Sequence, residues 1–330
     1  MKTDALYFQK YENENKVKCL LCPAECLLTE GKVGICGSRF NENGKLITDN
    51  FGELVSACYD PIEKKPLYHF YPGSTIFSTG ANGCNFGCSN CQNWEISQGK
   101  VRTQYVAPEE LVKLARDKNS IGVAYTYTEP LIWFEYIASA GRLIREAGLK
   151  NVLVTNGYIN EKPLNDLLPI IDAANIDLKS MDTKFYKKVC KAKLEPVLEN
   201  IKIFYDSGVH LEITNLLITG LNDSDSDIEK ITDFIASVSK SIPTHFSAYY
   251  PTYKMDRPAT SPERMLRAYE IAITKLDHVY LGNIKFPGKS DTLCPECGTV
   301  LISRLGYRTD ISGLNNWRCA HCGRIINIVS

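Results

Sequence analysis

The chain has 330 residues, of which 44% are hydrophobic and 23% are charged. This length can bury one large core with small appendages, and the composition is ordinary for a globular protein. The 38 basic and 38 acidic side chains cancel, so no overall electrostatic field favours nucleic acid or an anionic membrane. The first residues lack the apolar run of a signal peptide, and nowhere do 18 apolar residues follow one another. We therefore expect a cytoplasmic protein without a membrane span.

Thirteen cysteines are the unusual feature of the composition, and eleven of them fall into three groups. Cysteines two or three residues apart are too close for mutual disulfides, but they can bind one metal together. The spacing therefore predicts a metalloprotein. The groups are Cys19, Cys22, Cys26 and Cys36; Cys84, Cys88 and Cys91; and Cys294, Cys297, Cys319 and Cys322. Cys58 and Cys190 stand alone, and both are predicted to be buried small residues.

Three parts follow one another along the chain: a cysteine-rich metal-binding module (1–70), a segment of alternating strands and helices (71–287) and a four-cysteine module (288–330). Strands alternating with helices predict parallel pairing through right-handed crossovers. Six such units predict an α/β fold with a partial (β/α)6 barrel instead of the full set of eight. The predicted strands are 75–80, 122–128, 151–156, 173–179, 210–218 and 244–250.

Unlike polar residues stand at or just beyond the carboxyl ends of these predicted strands. Ligands bind at this rim in parallel α/β barrels. We therefore expect the residues to form one site, although any one of them alone could simply cap a loop. They are Cys84, Glu129, Asn156, Lys179 and Asn215.

The segment GANGCNFGCSNCQNW (80–94) has C-x3-C-x2-C spacing directly after the first barrel strand. Its glycines let the backbone fold tightly around a bulky inorganic group. Three thiolates can hold three irons of a cubane and leave the fourth iron open to another ligand. A three-cysteine zinc site is the alternative, and the lack of a histidine within this loop disfavours it.

This motif after the first strand of a partial barrel resembles the signature of radical S-adenosylmethionine (SAM) enzymes. The resemblance implies a catalytic 4Fe-4S cluster on Cys84, Cys88 and Cys91. TYTEP (126–130), VTNGY (154–158) and DLK (177–179) resemble segments of the glycyl-radical-enzyme activases, typified by pyruvate formate-lyase activating enzyme.

The same resemblance implies which residues contact SAM. Glu129 would take the methionine ammonium, and Asp177 and Lys179 would lie at the SAM carboxylate, with Asn156 nearby. Such contacts between opposite charges are strong in a sheltered site. The superfamily usually carries an aromatic residue before the third cysteine to pack on adenine. This chain has Asn90 there, and Phe86 or Trp94 are the alternatives for that contact.

Further segments, spread over nearly the whole chain, resemble the radical SAM component of the AmmeMemoRadiSam system. This resemblance implies partner proteins of that system without fixing a reaction. Activases often have Asp before Thr-Asn-Gly to help bind a cation, whereas this chain has Val154. The segments are PLYHFYPGS, CQNWEIS, TYTEP, HFSAYYPTYKM and the paired cysteine knuckles near residues 294 and 319.

Together these features predict a radical SAM oxidoreductase or activase that takes electrons from flavodoxin or ferredoxin. It would cleave SAM and use the 5′-deoxyadenosyl radical to abstract hydrogen from an unidentified substrate, with glycyl-radical activation as the alternative. Glu212 and Asn215 lie on a later strand and are predicted to contact the cofactor or substrate. For His245 and Tyr249 hydrogen bonding within the core is the favoured interpretation.

The outer cysteine groups indicate two more metal sites. CPECG (294–298) and CAHCG (319–323) resemble a zinc ribbon or a rubredoxin, and structural zinc is favoured over redox-active iron. The C-x2-C-x3-C-x9-C set (19–36) could hold zinc, which is favoured, or a second iron–sulfur cluster. A zinc-knuckle module that binds RNA or protein is the non-enzymatic alternative, and the mildly basic tail disfavours it.

Overall fold

The computed structural model describes residues 1–11 and 15–330. Short antiparallel strands in its first part surround the first cysteine group. They form two three-stranded sheets, with the orders β1-β6-β5 and β2-β3-β4, and β7 pairs further along the chain. Their bounds are β1 Thr3–Asp4, β2 Phe8–Tyr11, β3 Lys16–Cys19, β4 Leu27–Leu28, β5 Arg39–Glu42, β6 Lys45–Thr48 and β7 Glu53–Leu54.

The centre of the molecule is a parallel sheet. Its strands are short apolar runs buried on both faces, as parallel sheets covered by helices require. Val152 and Ile176, for example, have no exposed surface. The next strands are β8 Ser56–Pro61, β9 Thr75–Gly80, β10 Gln104–Tyr105, β11 Ser120–Tyr125, β12 Lys150–Thr155, β13 Ala173–Asp177, β14 His210–Leu217, β15 Thr244–Ala248 and β16 Val279–Gly282.

Within the described ranges this sheet has eight strands in the order β16-β15-β14-β13-β12-β11-β9-β8, while β10 pairs with β7. Neighbours from β9 to β16 run parallel. The predicted α/β class with parallel pairing and all six predicted strands are therefore confirmed. Two members of the sheet were not predicted: β16, which has only four residues, and β8, which pairs antiparallel with β9.

Helices connect the parallel strands and cover the outside of the sheet. Their ends follow local sequence signals: Pro108 opens α2, a capping box of Ser224 and Asp227 starts α7, and Gly148 with φ 76° follows α3. The helices are α1 Trp94–Ser97, α2 Pro108–Arg116, α3 Phe134–Glu146, α4 Glu161–Leu167, α5 Thr183–Phe185, α6 Glu195–Asp206, α7 Asp225–Val238 and α8 Pro262–Ala272. Short 3-10 segments span Ile62–Lys64, Asp117–Asn119, Pro130–Trp133 and Leu168–Ile170, and a π-helical segment spans Tyr186–Cys190.

The last part of the chain forms small strands: β17 Thr292–Leu293, β18 Val300–Leu305, β19 Arg308–Asp310, β20 Leu314–Asn315 and β21 Arg318–Cys319. It packs against the amino ends of the barrel strands. Arg304 Nη2 donates to the Tyr68 carbonyl at 2.7 Å, and Val329 N donates to the His69 carbonyl at 2.8 Å. Among the residues that the structure describes, no helix is long and apolar enough to cross a membrane.

The two isolated cysteines differ. Cys190 is buried, as predicted, but the prediction that Cys58 is buried is wrong. Cys58 lies on β8, an edge strand on which Ala57 is also exposed. An edge strand packs against only one neighbouring strand, so its side chains are covered less than those of the central strands.

Candidate active site at the carboxyl rim

A cavity of about 310 Å³ opens at the carboxyl ends of the parallel strands. We call this edge of the barrel the carboxyl rim. It is the end at which parallel barrels bind ligands. The structure brings most of the residues predicted for the site together around this cavity. They are Cys84, Phe86, Cys88, Asn90, Cys91, Glu129, Asn156, Asp177 and Lys179.

The loop after β9 carries the three cysteines, and its glycines make its course possible. A Cβ on Gly80 would lie 2.3 Å from the Thr126 carbonyl, and one on Gly83 would lie 2.3 Å from the Cys36 carbonyl. Either contact is impossible for a side chain, so both positions require glycine. Further along the loop, Gly87 N donates to the Cys190 carbonyl at 2.8 Å.

The donor set fits an iron–sulfur cluster with one open iron. Three thiols line one cavity, and the loop offers no fourth cysteine or histidine. Their surroundings differ: burial raises the pKa of the Cys84 thiol well above its usual value, whereas a hydrogen bond with Cys190 lowers the pKa of Cys88. Cys190, predicted only as a small core residue, thus also contacts the site.

Glu129 places a buried carboxyl group at the cavity. Its Oε1 accepts hydrogen bonds from Thr155 Oγ1 at 2.5 Å and Leu131 N at 3.0 Å, and its Oε2 accepts one from Asn156 N at 2.8 Å. Burial raises the pKa of Glu129 to about 7 despite these bonds. None of these three partners carries a positive charge, so a cationic group in the cavity would be stabilised by this carboxylate.

Lys179 and Asp177 also line the cavity, and Lys179 Nζ lies 2.7 Å from Asp177 Oδ2. Burial opposes the charged form of this lysine, but Asp177 and Cys88 hold its pKa above the usual value. Asn215 does not line the cavity. Its Nδ2 holds the backbone that carries Lys179, donating to the Leu178 carbonyl at 2.6 Å and to the Lys179 carbonyl at 3.2 Å. It acts on the site through the backbone that carries Lys179.

Asn156 links this set of residues to the cysteine loop. Its Nδ2 donates to Asn85 Oδ1 at 2.9 Å and lies 3.9 Å from Cys84 Sγ. Phe86 packs against Tyr158, with ring centroids 5.2 Å apart. Trp94 does not line the cavity; it is 40% exposed and stacks on Tyr253. Of the aromatic alternatives for the adenine contact, the structure brings only Phe86 to the cavity.

Glu212 does not line this cavity, so the prediction that it contacts the cofactor is wrong. It lies near the start of β14, where its Oε1 accepts from His69 N at 2.7 Å and contacts His210 Nε2 at 3.0 Å. Its Oε2 contacts His245 Nε2 at 2.6 Å. Both oxygens are therefore taken by protein partners at the amino end of the barrel. We call these residues, with Tyr280 bonded to His69, the floor network.

The core interpretation of the two later polar residues is confirmed. His245 belongs to the floor network, and Tyr249 is buried with its hydroxyl donating to the Met255 carbonyl at 2.8 Å. Other residues that line the cavity were not predicted. Thr214 lies in the middle of β14, Ser247 lies next to the last residue of β15, and Asn283 directly follows β16. The position of Ser247 near a strand end is the signal that could have identified it.

The outer cysteine groups differ in compactness. Cys294 and Cys322 have sulfurs 3.6 Å apart, as do Cys297 and Cys319. All four sulfurs lie within 4.8 Å of one another, so this group could hold one metal ion. The N-terminal group, by contrast, lines a small cavity of its own. That cavity is lined by Cys19, Leu21, Cys22, Cys26, Gly34, Ile35, Cys36, Arg39 and Ile132.

The sequence profile of the radical SAM superfamily matches residues 79–235. An uncharacterized protein of Methanocaldococcus jannaschii is 42% identical, and the match covers 99% of this chain and 99% of that protein. The pyruvate formate-lyase-activating enzyme of Clostridium pasteurianum is 27% identical over 47% of this chain and 67% of its own length. Among solved structures, a radical SAM methyltransferase from Sphaerobacter thermophilus has the same fold, with a TM-score of 0.53 and 16% identity over 85% of this chain and 76% of that one.

Proposed function

Because this chain belongs to the radical SAM superfamily, we propose that it cleaves SAM reductively and uses the 5′-deoxyadenosyl radical to abstract hydrogen from a substrate. The observation that carries the proposal is the convergence, around one cavity, of a buried carboxyl group and of three cysteines whose loop contains no fourth cysteine or histidine. A 4Fe-4S cluster, when bound to Cys84, Cys88 and Cys91, supplies the electron for this cleavage.

The side chains around the cavity would hold SAM by charge. Glu129 would bind the methionine ammonium, because its buried carboxylate gains a cationic partner there. Lys179 would bind the SAM carboxylate, with Asp177 keeping the lysine oriented at 2.7 Å. Phe86 and Asn90 line the same cavity and would contact the adenine. Closing these groups around SAM would also keep water away from the radical.

The test is anaerobic reconstitution with iron and sulfide, followed by dithionite and SAM, with 5′-deoxyadenosine as the product measured. We expect product from the wild type and none above background from Cys88→Ala. Cys58→Ala is the matched control, since this cysteine is exposed on an edge strand, and it should keep full activity. A wild type that holds its cluster, by spectroscopy, but yields no 5′-deoxyadenosine even with candidate substrates would contradict the proposal.

Activation of a glycyl-radical enzyme is the second candidate. It is supported by the similarity of the middle of the chain to the pyruvate formate-lyase-activating enzyme. In that case the hydrogen donor is a glycine of a partner protein. Candidate partners, including proteins of the AmmeMemoRadiSam system, would be mixed with the reconstituted enzyme and SAM. Electron paramagnetic resonance would then show a glycyl radical, and its absence with every partner would favour a different substrate.

For the electron donor we propose flavodoxin or ferredoxin docking on a lysine-rich face. The segment 184–193 exposes five lysines and hydrogen-bonds to the cysteine loop, with Ser89 N donating to the Val189 carbonyl at 3.2 Å. An acidic carrier would be drawn to this face, which also borders the N-terminal module at Pro23 and Ala24. The lysines are Lys184, Lys187, Lys188, Lys191 and Lys193.

Charge reversal separates docking from catalysis. Lys187→Glu combined with Lys188→Glu should slow turnover with flavodoxin or ferredoxin by about tenfold at low ionic strength, and leave turnover with dithionite unchanged. Equal turnover of variant and wild type with the protein donor would rule out this face.

For the C-terminal module we propose one structural zinc ion. Zinc–sulfur bonds of about 2.3 Å put the sulfurs of a tetrahedron about 3.8 Å apart, close to the 3.6 Å separations in the structure. Metal analysis should find one zinc per chain that is lost in Cys294→Ser with Cys297→Ser. Iron in its place would indicate a rubredoxin-like centre.

A further inference from the structure

The N-terminal cysteines are spread more widely than the C-terminal ones, and this difference bears on what they bind. We propose that Cys19, Cys22, Cys26 and Cys36 hold a second iron–sulfur cluster and not a zinc ion. We also propose that this cluster relays electrons to the cluster of Cys84, Cys88 and Cys91, a role that rests on the proposed function.

All four N-terminal cysteines line a single cavity. The backbone brings them there from separate strands and loops, and Cys19 N donates to the Cys26 carbonyl at 2.9 Å. Cys19, Cys22 and Cys36 are buried and Cys26 is partly buried. Four thiols facing one largely apolar cavity offer a complete ligand set for a single inorganic centre.

The spacing of the sulfurs favours a bulky centre. A single zinc ion draws its four sulfurs to about 3.8 Å from one another. In the described residues, the C-terminal group alone has three or more metal-binding side chains whose ligand atoms all lie within 4.8 Å of one another. The N-terminal group and the radical SAM triad both lack this compactness. A cubane carries each thiolate on a different iron and so holds the sulfurs further apart.

A buried cation lies beside the N-terminal cavity. Arg39 is 1% exposed and lines the cavity with the cysteines. Its Nη2 pairs with Glu135 and its Nη1 donates to the Leu6 carbonyl at 2.9 Å, while its Nε has no hydrogen-bond partner among the described residues. A centre with four thiolates carries a net negative charge, which a buried guanidinium stabilises. Arg39 therefore supports a permanent anionic centre here, whichever metal it contains.

The N-terminal site lies directly against the radical SAM loop. The position of a Gly83 Cβ is 2.3 Å from the Cys36 carbonyl, and Gly83 precedes Cys84. Ser38 Oγ donates to the Asn82 carbonyl at 3.2 Å. Ile132 lines the N-terminal cavity, and its Cδ1 would lie 3.1 Å from a Cβ placed on Gly83. The backbone of the N-terminal site thus lies against the radical SAM loop, as a relay between the two centres requires.

The relay balances as a one-electron exchange. A low-potential carrier, reduced flavodoxin or ferredoxin, would lose one electron to a cluster held by the N-terminal cysteines. That cluster would return to its oxidised state on passing the electron to a cluster held by Cys84, Cys88 and Cys91, with no bond in the N-terminal module made or broken.

The first test removes the radical SAM triad and counts acid-labile sulfide. Neither zinc nor a single rubredoxin-type iron contains sulfide, so sulfide reports clusters only. After anaerobic reconstitution, Cys84→Ala with Cys88→Ala and Cys91→Ala should retain about half of the wild-type sulfide. Loss of all sulfide, or an extra zinc at this site, would overturn the proposal. Because no SAM is present, the result does not depend on whether the protein cleaves SAM.

The second test addresses the relay. The reciprocal variant, Cys22→Ala with Cys36→Ala, should also keep about half of the sulfide, now on the triad. Its 5′-deoxyadenosine production should persist with dithionite but fall about tenfold or more with reduced flavodoxin or ferredoxin. An equal rate with both kinds of reductant would refute the relay. Should this variant fail to fold, the triad variant still decides the identity of the N-terminal centre.

Discussion

Two positions on one face of β14 behave differently, although both are buried polar residues. Glu212 lies towards the floor, and each of its carboxylate oxygens has a protein partner. Thr214 lies two residues further on, lines the rim cavity, and has an Oγ1 without a partner among the described residues. Buried polar groups are normally satisfied, so an unsatisfied one facing a cavity indicates a ligand. The floor is built for stability, whereas the rim has hydrogen-bonding capacity left over for binding.

The largest effect should come from the floor. Glu212→Ala leaves His69 N, His210 and His245 without their shared acceptor, and we expect the free energy of unfolding to fall by about 3–5 kcal/mol. Chemical denaturation measures the loss. Glu229→Ala, an exposed glutamate on α7, is the control and should change stability by less than about 0.5 kcal/mol. A floor variant as stable as this control would mean that the network contributes little.

At the rim the change should appear in binding. Glu129→Gln keeps the shape of the side chain but removes the charge, and we expect the Kd for SAM to rise about 10- to 100-fold, as for the loss of a hydrogen bond to a charged group. The affinity would be measured by calorimetry on the reconstituted protein. The unfolding midpoint serves as the internal control. If Glu129→Gln greatly lowered the unfolding midpoint but left the SAM affinity unchanged, Glu129 would stabilise the fold and would not bind SAM.

The free energy of unfolding should also depend on pH, through His278 beside the floor network. Burial lowers the pKa of His278 from 6.5 to about 4, and its ring lies against His69, whose pKa burial also lowers. The unfolded chain therefore binds protons that the folded state excludes, and stability falls as the pH drops below about 6.5. His278 alone should account for about 1 kcal/mol between pH 7.5 and 5.5. His278→Asn should reduce this pH dependence by that amount, and an unchanged pH dependence would exclude His278 as its source.

The smallest effect should be that of Thr214→Val. The side chain keeps its volume, so the stability should change little while the Kd for SAM or substrate rises about two- to fivefold. Thr232→Val is the matched control, because Thr232 Oγ1 already donates to the Ile228 carbonyl at 2.7 Å. The control should lose stability and keep its affinity. If Thr214→Val instead lost stability and kept its affinity, the Thr214 hydroxyl would not contact a ligand.

The same comparison shows what the sequence could predict. Continuous apolar runs closed by turn residues located the six strands, and cysteine spacing located the triad. β8 was missed because its exposed edge residues form no apolar run. Glu212 was misplaced for a geometric reason. It is the third of eight residues in β14, and the first residue of β14 that lines the cavity, Thr214, lies two residues or about 7 Å further along the strand. The strand pattern says which face a residue is on, but only the register of the neighbouring strands says which end of the barrel it reaches.

The contact between the barrel floor and the last module has a consequence for biosynthesis. His69 Nδ1 meets the Asn327 carbonyl at 3.2 Å across 258 residues of sequence. At ordinary ribosomal speeds of about 5–20 residues per second, Asn327 is synthesised about 13–50 s after His69. During that interval the first barrel strands have emerged while the floor is still incomplete. Chaperone dependence during translation should therefore concentrate on the amino ends of the strands and end when the cysteine knuckles close.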